Sequence, residues 1–216
     1  IELLPYVTQK GEYFVHSPDD PFNDGSNSVT EIGGDLRMAV GSRLTLNATA
    51  NPDFGQVEVD PAVVNLNNVE TYFQEKRPFF LEGVGLYNFS VNCSIVNCSG
   101  EGLFYSRRIG RPPTVGSYAG IGAPTATPII GAGKLTGRFP SGLSVGVLEA
   151  VTQRVDGTLD RTMEPTTSYT VARVQQEYRG GGTTLGAIGT AVQRELGDWT
   201  EDFLRRDAYV GGVDFR

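Results

Sequence analysis

GGDLRMAVGSRLTLNATA, residues 33–50, decides the fold. Gly34, Leu36, Met38 and Val40 alternate with Asp35, Arg37 and Ala39, and after Gly41-Ser42 the residues Leu44, Leu46, Ala48 and Ala50 alternate with Thr45, Asn47 and Thr49. Successive side chains of a strand point to opposite faces, so period-two alternation marks a strand with two unlike faces. Two such runs across a glycine-containing turn predict a hairpin. One of its faces is apolar and the other carries Asp, Arg, Thr and Asn.

The same pattern recurs outward from this hairpin. Leu135, Gly137 and Phe139 alternate with Lys134, Thr136 and Arg138, then Pro140-Ser141-Gly142 turns the chain into Leu143, Val145 and Val147. SYTVARVQQEY (168–178), a triple-glycine turn, TTLGAIGTAVQRE (183–195) and AYVGGVDFR (208–216) follow. With the opening ELLPYV, about eight strands are predicted, most of the length that a tilted membrane-crossing strand needs. Helical periodicity is nearly absent. The one stretch that reads as a helical turn is AVVNLNNVETYF, 62–73, itself rich in Asn and β-branched residues.

Composition narrows the class. Glycine, at 28 of 216 residues, is about twice as frequent as usual and lacks a collagen-like period, which fits β structure with many turns and close backbone approaches. A net charge of −7 and a pI near 4.8 argue against a nucleic-acid partner, which needs clustered Lys and Arg. No apolar run is long enough for a transmembrane helix. That does not exclude a membrane, because a spanning strand needs only alternation, and the mean hydropathy of −0.20 is compatible with it. The chain opens directly on a strand-like run and stops at DFR in mid-alternation, so it is expected to be a piece of a larger barrel.

Three parts are expected: first barrel strands over 1–52, an insertion over 53–128, and further strands over 129–216 that continue beyond the chain. The insertion is dense in proline and aromatics, among them Phe54, Tyr72, Phe73, Phe79, Phe80, Tyr87, Phe89, Phe104 and Tyr105. A stretch that long is usually functional or folded onto something, and its aromatics imply packing against a surface.

Alternation alone does not choose between water and lipid as the neighbour of the apolar face. Two features lean toward lipid. The polar faces carry Asp, Arg, Lys, Glu and Gln, as a hydrated lumen tolerates. The apolar faces are mostly Leu, Val, Ala and Gly with aromatics near the run ends (Tyr178, Tyr209, Phe215), lighter than a core packed to native density. In this reading Leu36, Leu46 and Val145 look outward; their meeting in a dry protein centre would end it.

NATANPDFGQVEVDPAVVNLNNVETYFQEKRPFFLEG (47–83) followed by LFYSRRIGR (103–111) resembles the signature region of a family of bacterial outer-membrane β-barrel proteins of unknown function, which usually follow a carbohydrate-binding family-9-like N-terminal domain. The match covers about a third of the chain at motif level, with NPDFGQVE, EKRPFFLEG and YSRRIGR in order. The resemblance implies an outer-membrane location, outer-membrane lipid as a partner, and contact with saccharide through a module that this chain does not contain. It supplies a place more than a reaction.

The fold expected is therefore all-β: an antiparallel transmembrane β-barrel, a fragment of a larger one, with an internal plug-like segment. Asp35, Arg37, Thr45, Asn47, Thr49, Lys134, Thr136, Arg138, Arg173, Gln175 and Glu177 are expected to face the lumen and set its polarity. Asp53, Glu58, Asp60, Glu75, Lys76, Arg77, Glu82, Arg107, Arg108 and Arg111 are expected to form a charge network in the plug. In EKRPFFLEG these charges either line a path or simply pair with neighbours around a turn set by Pro78. The arginines of YSRRIGR either take an anion or neutralise the acids of 53–60, and the second is favoured because charges away from water need partners.

Cys93 and Cys98, in CSIVNC, admit a disulfide in an oxidising compartment, two free thiols, or a two-ligand metal site, the last being weakest because no His lies near. Asp19, Asp20, Asn23 and Asp24 supply oxygens that calcium accepts, but their spacing is not that of an EF-hand loop and a polar loop is the better reading. His16 is the single histidine, and no nucleophile elbow accompanies it. No metal, cofactor or catalytic constellation is expected. A structural or transport-type outer-membrane barrel is the leading expectation, with a saccharide-binding or saccharide-processing surface protein and a soluble β-barrel binding module as the alternatives.

Overall fold

A computed structural model describes residues 1–13, 26–52, 73–89, 102–118, 124–157 and 161–216. Ten strands are seen among them: β1 (Glu2–Tyr13), β2 (Ser26–Val40), β3 (Leu44–Ala50), β4 (Ile129–Arg138), β5 (Leu143–Thr152), β6 (Val155–Asp156), β7 (Thr162–Glu164), β8 (Thr167–Tyr178), β9 (Thr183–Arg194) and β10 (Asp207–Phe215). Eight form one antiparallel sheet in the order β1-β2-β3-β4-β5-β8-β9-β10, while β6 and β7 make a small hairpin of their own. These eight are the strands that alternation predicts. Among the described residues β1 and β10 stand at opposite edges, so the sheet is open and does not close into a barrel.

Short turns lie at one end of the sheet and long connections at the other. Residues 41–43, 139–142 and 179–182 join strands tightly, and the strand ends that lead to the longer connections β1–β2, β3–β4, β5–β8 and β9–β10 lie at the opposite end. Gly142 has a left-handed φ of 83° in its turn, and a side chain there would also strike the Glu177 carbonyl. Only glycine meets both demands.

The register continues across the sheet, so each face can be read as rows. Arg37 lies opposite Asn47, Asn47 opposite Lys134, and Lys134 opposite Leu148. Gly146 lies opposite Arg173, and Arg173 opposite Ile188. On the other face Met38, Leu46, Leu135, Val147, Ala172 and Gly189 follow one another in the same way.

The two faces are covered very differently. Asn47, Thr49, Lys134, Ser144, Leu148, Ala150, Val171, Arg173 and Ile188 are buried, and all stand on the first face. On the second face, Val147, Val174, Leu185, Val213 and Phe215 are exposed, and Leu36, Leu46 and Val145 are only partly covered. None of these joins the core cluster.

What covers the first face is the segment between β3 and β4. It contains two single-turn helices, α1 (Pro78–Leu81) and α2 (Val84–Tyr87). Pro78 opens α1, where its missing N–H costs nothing. Gly83 separates the two with a left-handed φ of 69°. The core forms between this segment and the sheet: Phe80, Tyr87 and Ile109 meet Ile129, Ala132, Leu148, Ala150, Tyr169, Val171 and Ile188. At the end with the long connections, a third short helix, α3 (Asp198–Glu201), brings Trp199 and Phe203 together, and Phe203 stacks on Tyr118.

Several sequence-level expectations lie outside the described residues: most of the predicted helical turn at 62–73, Cys93 and Cys98, His16, Asp19 to Asp24, and the acids Asp53, Glu58 and Asp60.

Candidate functional site

The candidate site is the contact between this segment and the face it covers. EKRPFF folds on itself first. Glu75 accepts from the Arg77 side chain at both carboxylate oxygens, 2.8 Å at Nε and 2.7 Å at NH2, and from the backbone N–H of Lys76 and Arg77. Arg77 then reaches across to YSRRIGR, donating to the carbonyls of Ile109 (2.7 Å) and Ser106 (2.8 Å). Ser106 Oγ returns a 2.5 Å bond to Glu75. Tyr105 closes the unit, donating to the Phe73 carbonyl and accepting from the Phe73 N–H, each at 2.9 Å. The two motifs, far apart in sequence, are thus one body stitched by Arg77.

The pair is nearly water-free, with side-chain exposures of 9% for Arg77 and 7% for Glu75. Burial alone would raise the Glu75 pKa; the hydrogen bonds and charge of Arg77, with Ser106, outweigh it and hold the carboxyl below its usual range. Arg77 also lies 4.3 Å from the centre of the Phe80 ring, so Phe80 shields the ion pair while filling the core. Tyr87 is buried with no partner for its hydroxyl, and that burial pushes its phenol upward.

The sheet supplies cations and space. Lys134, 1% exposed, donates from Nζ to the carbonyls of Phe79 (2.6 Å) and Glu82, where α1 ends, and lies 4.9 Å from the Phe79 ring. Arg37 pairs with Glu82 at 3.0 Å. Arg173 pairs with Asp214 through both nitrogens and faces the Phe89 ring. Space comes from glycine: a side chain at Gly146 would strike Leu86 and Tyr87, and one at Gly212 would strike Phe89 and Leu103.

Toward the short turns the cover lifts and leaves an open cavity of about 500 Å³. Thr45, Thr136, Arg138, Gln175 and Glu177 line it, with Arg43 and the backbone of Gly83 and Gly85 among the rest. Arg138 pairs with Glu177 at 2.6 Å across its mouth.

The register puts Asp35, Arg37, Thr45, Asn47, Thr49, Lys134, Thr136, Arg138, Arg173, Gln175 and Glu177 on the covered side. Asp35, Arg37 and Arg138 remain exposed there, Arg37 while pairing with Glu82 at the edge of the segment. Of the expected charge network, Glu75, Arg77 and Glu82 are placed in pairs. Arg111 bonds Thr114 at 2.8 Å, and the acids expected to meet the arginines lie outside the described residues.

Sequence reasoning missed the apolar half of the covered face. Leu148, Ala150, Tyr169, Val171 and Ile188 stand in line with Lys134 and Arg173. A signal was present: in LSVGVLEAVT the alternation changes sense after Val147, where Leu148 and Glu149 exchange the expected sides.

Among the described residues no group of three or more His, Cys, Asp and Glu stands close enough to hold a metal ion, and no helix is long and apolar enough to cross a membrane, which says nothing of strands. The family model for a domain of unknown function (DUF5916) matches residues 1–216. No curated protein and no solved structure matches the chain.

Proposed function

The chain belongs to the family of this domain of unknown function (DUF5916), and from that premise we propose that it builds part of the wall of a bacterial outer-membrane β-barrel with a structural or transport-type role. In this reading the described residues 73–89 and 102–118 belong to the plug-like segment inside the lumen, the rest of 53–128 lying largely outside the described residues.

One observation carries it. The sheet buries a face that is polar toward the short turns and apolar toward the long connections under a protein segment, and leaves its other face, with Val147, Val174, Leu185, Val213 and Phe215, bare. A sheet with water on both sides does not leave a second apolar face uncovered, and a contiguous bare apolar face is rare in water. A hydrocarbon neighbour reverses the cost. The glycine and alanine on that face (Ala172, Ala187, Gly189, Ala191) leave gaps that lipid tails fill and a protein core would not.

The unlike ends of the sheet set its sense. Barrels of this class keep short turns on the periplasmic side and long loops outside. The cavity of Arg43, Arg138, Gln175 and Glu177 then opens toward the periplasm. Solute passing the segment would meet this polar cavity.

The test is folding of the full-length protein into detergent or vesicles, with cysteines introduced singly along the strands. Heat-modifiable migration, with lipid-soluble reagents labelling Val147, Val174 and Val213 positions but not Thr136 or Gln175, is the expected result. A monodisperse, folded protein without detergent would overturn the reading and favour a soluble binding module.

A further inference from the structure

The bare face carries one interior carboxylate among the described residues. Glu149 stands opposite Thr170, Thr170 opposite Ala191, and Ala191 opposite Tyr209, a row that crosses four strands on the apolar side. Both Glu149 oxygens accept hydroxyl bonds, one from Ser168 and the other from Thr170 at 2.5 Å. These bonds pin the carboxylate and leave about half of its four lone-pair positions open.

Thr170 also belongs to a groove of about 480 Å³ on the same side, formed with Ala172, Gly189, Ala191, Tyr209 and Gly211. A fixed anion therefore opens directly onto a shallow apolar trough, and the two share a residue. The Tyr209 ring, 66% exposed, flanks the trough at the level of the carboxylate. Tyrosine is the residue that marks the border of hydrocarbon and headgroups on barrel walls. Farther along the strands the face becomes wholly apolar through Val147, Val174 and Val213.

A carboxylate on a lipid-facing wall is costly without a partner. Its shape here fits one kind of partner: an amphiphile with a cationic head over Glu149 and an acyl chain along the trough. We propose that Glu149, Ser168 and Thr170 with the adjoining groove form an annular lipid site selective for a headgroup bearing a primary ammonium. This rests on the outer-membrane reading, since only then does the face meet lipid. A headgroup of net negative charge would be repelled by Glu149, and a trimethylated ammonium would offer it no N–H.

The experiment compares phosphatidylethanolamine with phosphatidylcholine of identical acyl chains, added with a chelator to the full-length protein in detergent and read by native mass spectrometry. Retention of the ethanolamine lipid about ten-fold above the choline lipid is expected, one charge-assisted hydrogen bond being enough for such a ratio. Glu149→Gln should abolish the preference while the heat-modifiable band persists, and Gly189→Leu should lower retention of both lipids by filling the trough. Equal retention by the unaltered protein, an unchanged preference in Glu149→Gln, or occupation of the face by a second copy would each overturn the site. Loss of heat-modifiable folding in the unaltered protein would instead sink the barrel reading beneath it.

Discussion

The ammonium of Lys134, midway along β4, donates to the backbone carbonyl of Phe79 at 2.6 Å and to that of Glu82, the two points where helix α1 ends. A buried cation thus satisfies carbonyls that a one-turn helix leaves open, at the end where its dipole favours positive charge. Lys134 is 1% exposed, so water cannot replace it.

Lys134→Met should therefore cost about 2–3 kcal/mol, the usual range for losing hydrogen bonds to a charged group. The loss should be local as well as global. Limited proteolysis within 73–89 ought to accelerate in Lys134→Met and stay slow in Arg154→Met, whose exposed side chain pairs with Asp156 instead. Equal cleavage rates in both variants would mean that the lysine does not anchor the segment.

Gly146 tests the same contact sterically. Its missing side chain leaves room for Leu86 and Tyr87, whereas the neighbouring Gly133 faces open space on the bare side. Gly146→Val should destabilise the docked segment by about 1–3 kcal/mol, the range for overpacking. Gly133→Ala should be near neutral. Denaturant unfolding monitored at the aromatic signals of the segment distinguishes them, and equal midpoints would contradict the packing described.

These contacts show what could and could not be read in advance. Alternation in GGDLRMAVGSRLTLNATA sets which residues of β2 and β3 share a face, because the pleat allows no other assignment. It places Lys134 and Arg173 on that face too. It does not reveal that Lys134 meets carbonyls of Phe79 and Glu82, since backbone atoms have no letter in the sequence. The Glu75–Arg77 pair was legible as charge, but its link to the Ser106 and Ile109 carbonyls was not. Gly146 and Gly212 were legible as glycines and as nothing more, because the side chains they admit come from a segment whose path no periodicity fixes. The missed apolar rows of Leu148, Val171 and Ile188 have a different cause. Alternation identifies unlike faces only while one is uniformly polar, and the covered face is polar toward the short turns and apolar toward the long connections.

The Glu75–Arg77 pair predicts the response to acid. Its carboxyl is held below the usual glutamate value, so the folded state binds this proton less readily than the unfolded one. The stability it contributes is complete above the unfolded pKa of about 4.3 and is lost as pH falls through the lower folded value. Docking of the segment should thus withstand pH 5 unchanged and weaken only below about 4. Arg77→Met should cost about 3–5 kcal/mol at neutral pH by leaving a buried carboxylate unpaired. It should also reverse the acid response: burial then opposes only Ser106 and the backbone N–H groups at Glu75, so protonation relieves the unpaired charge and docking in Arg77→Met recovers as pH falls. A pH titration of segment proteolysis that is identical in both proteins would refute this account.

The inversion of the sheet gives the most direct prediction, because water and hydrocarbon demand opposite tolerances at neighbouring residues. Val174 and Gln175 are consecutive in β8 and point to opposite faces, the first bare and the second lining the polar cavity. In a lipid-facing wall Val174→Arg should cost about 2–4 kcal/mol near the middle of the bilayer, since hydrocarbon offers the guanidinium no partner. Gln175→Arg should change stability by less than about 1 kcal/mol, with Glu177 and water within reach. In a water-facing sheet the contrast vanishes: arginine at the exposed Val174 position would be harmless or helpful to solubility, while Gln175→Arg would keep the same small effect. Folding equilibria of both variants in vesicles decide between these, and a harmless Val174→Arg would place this face in water.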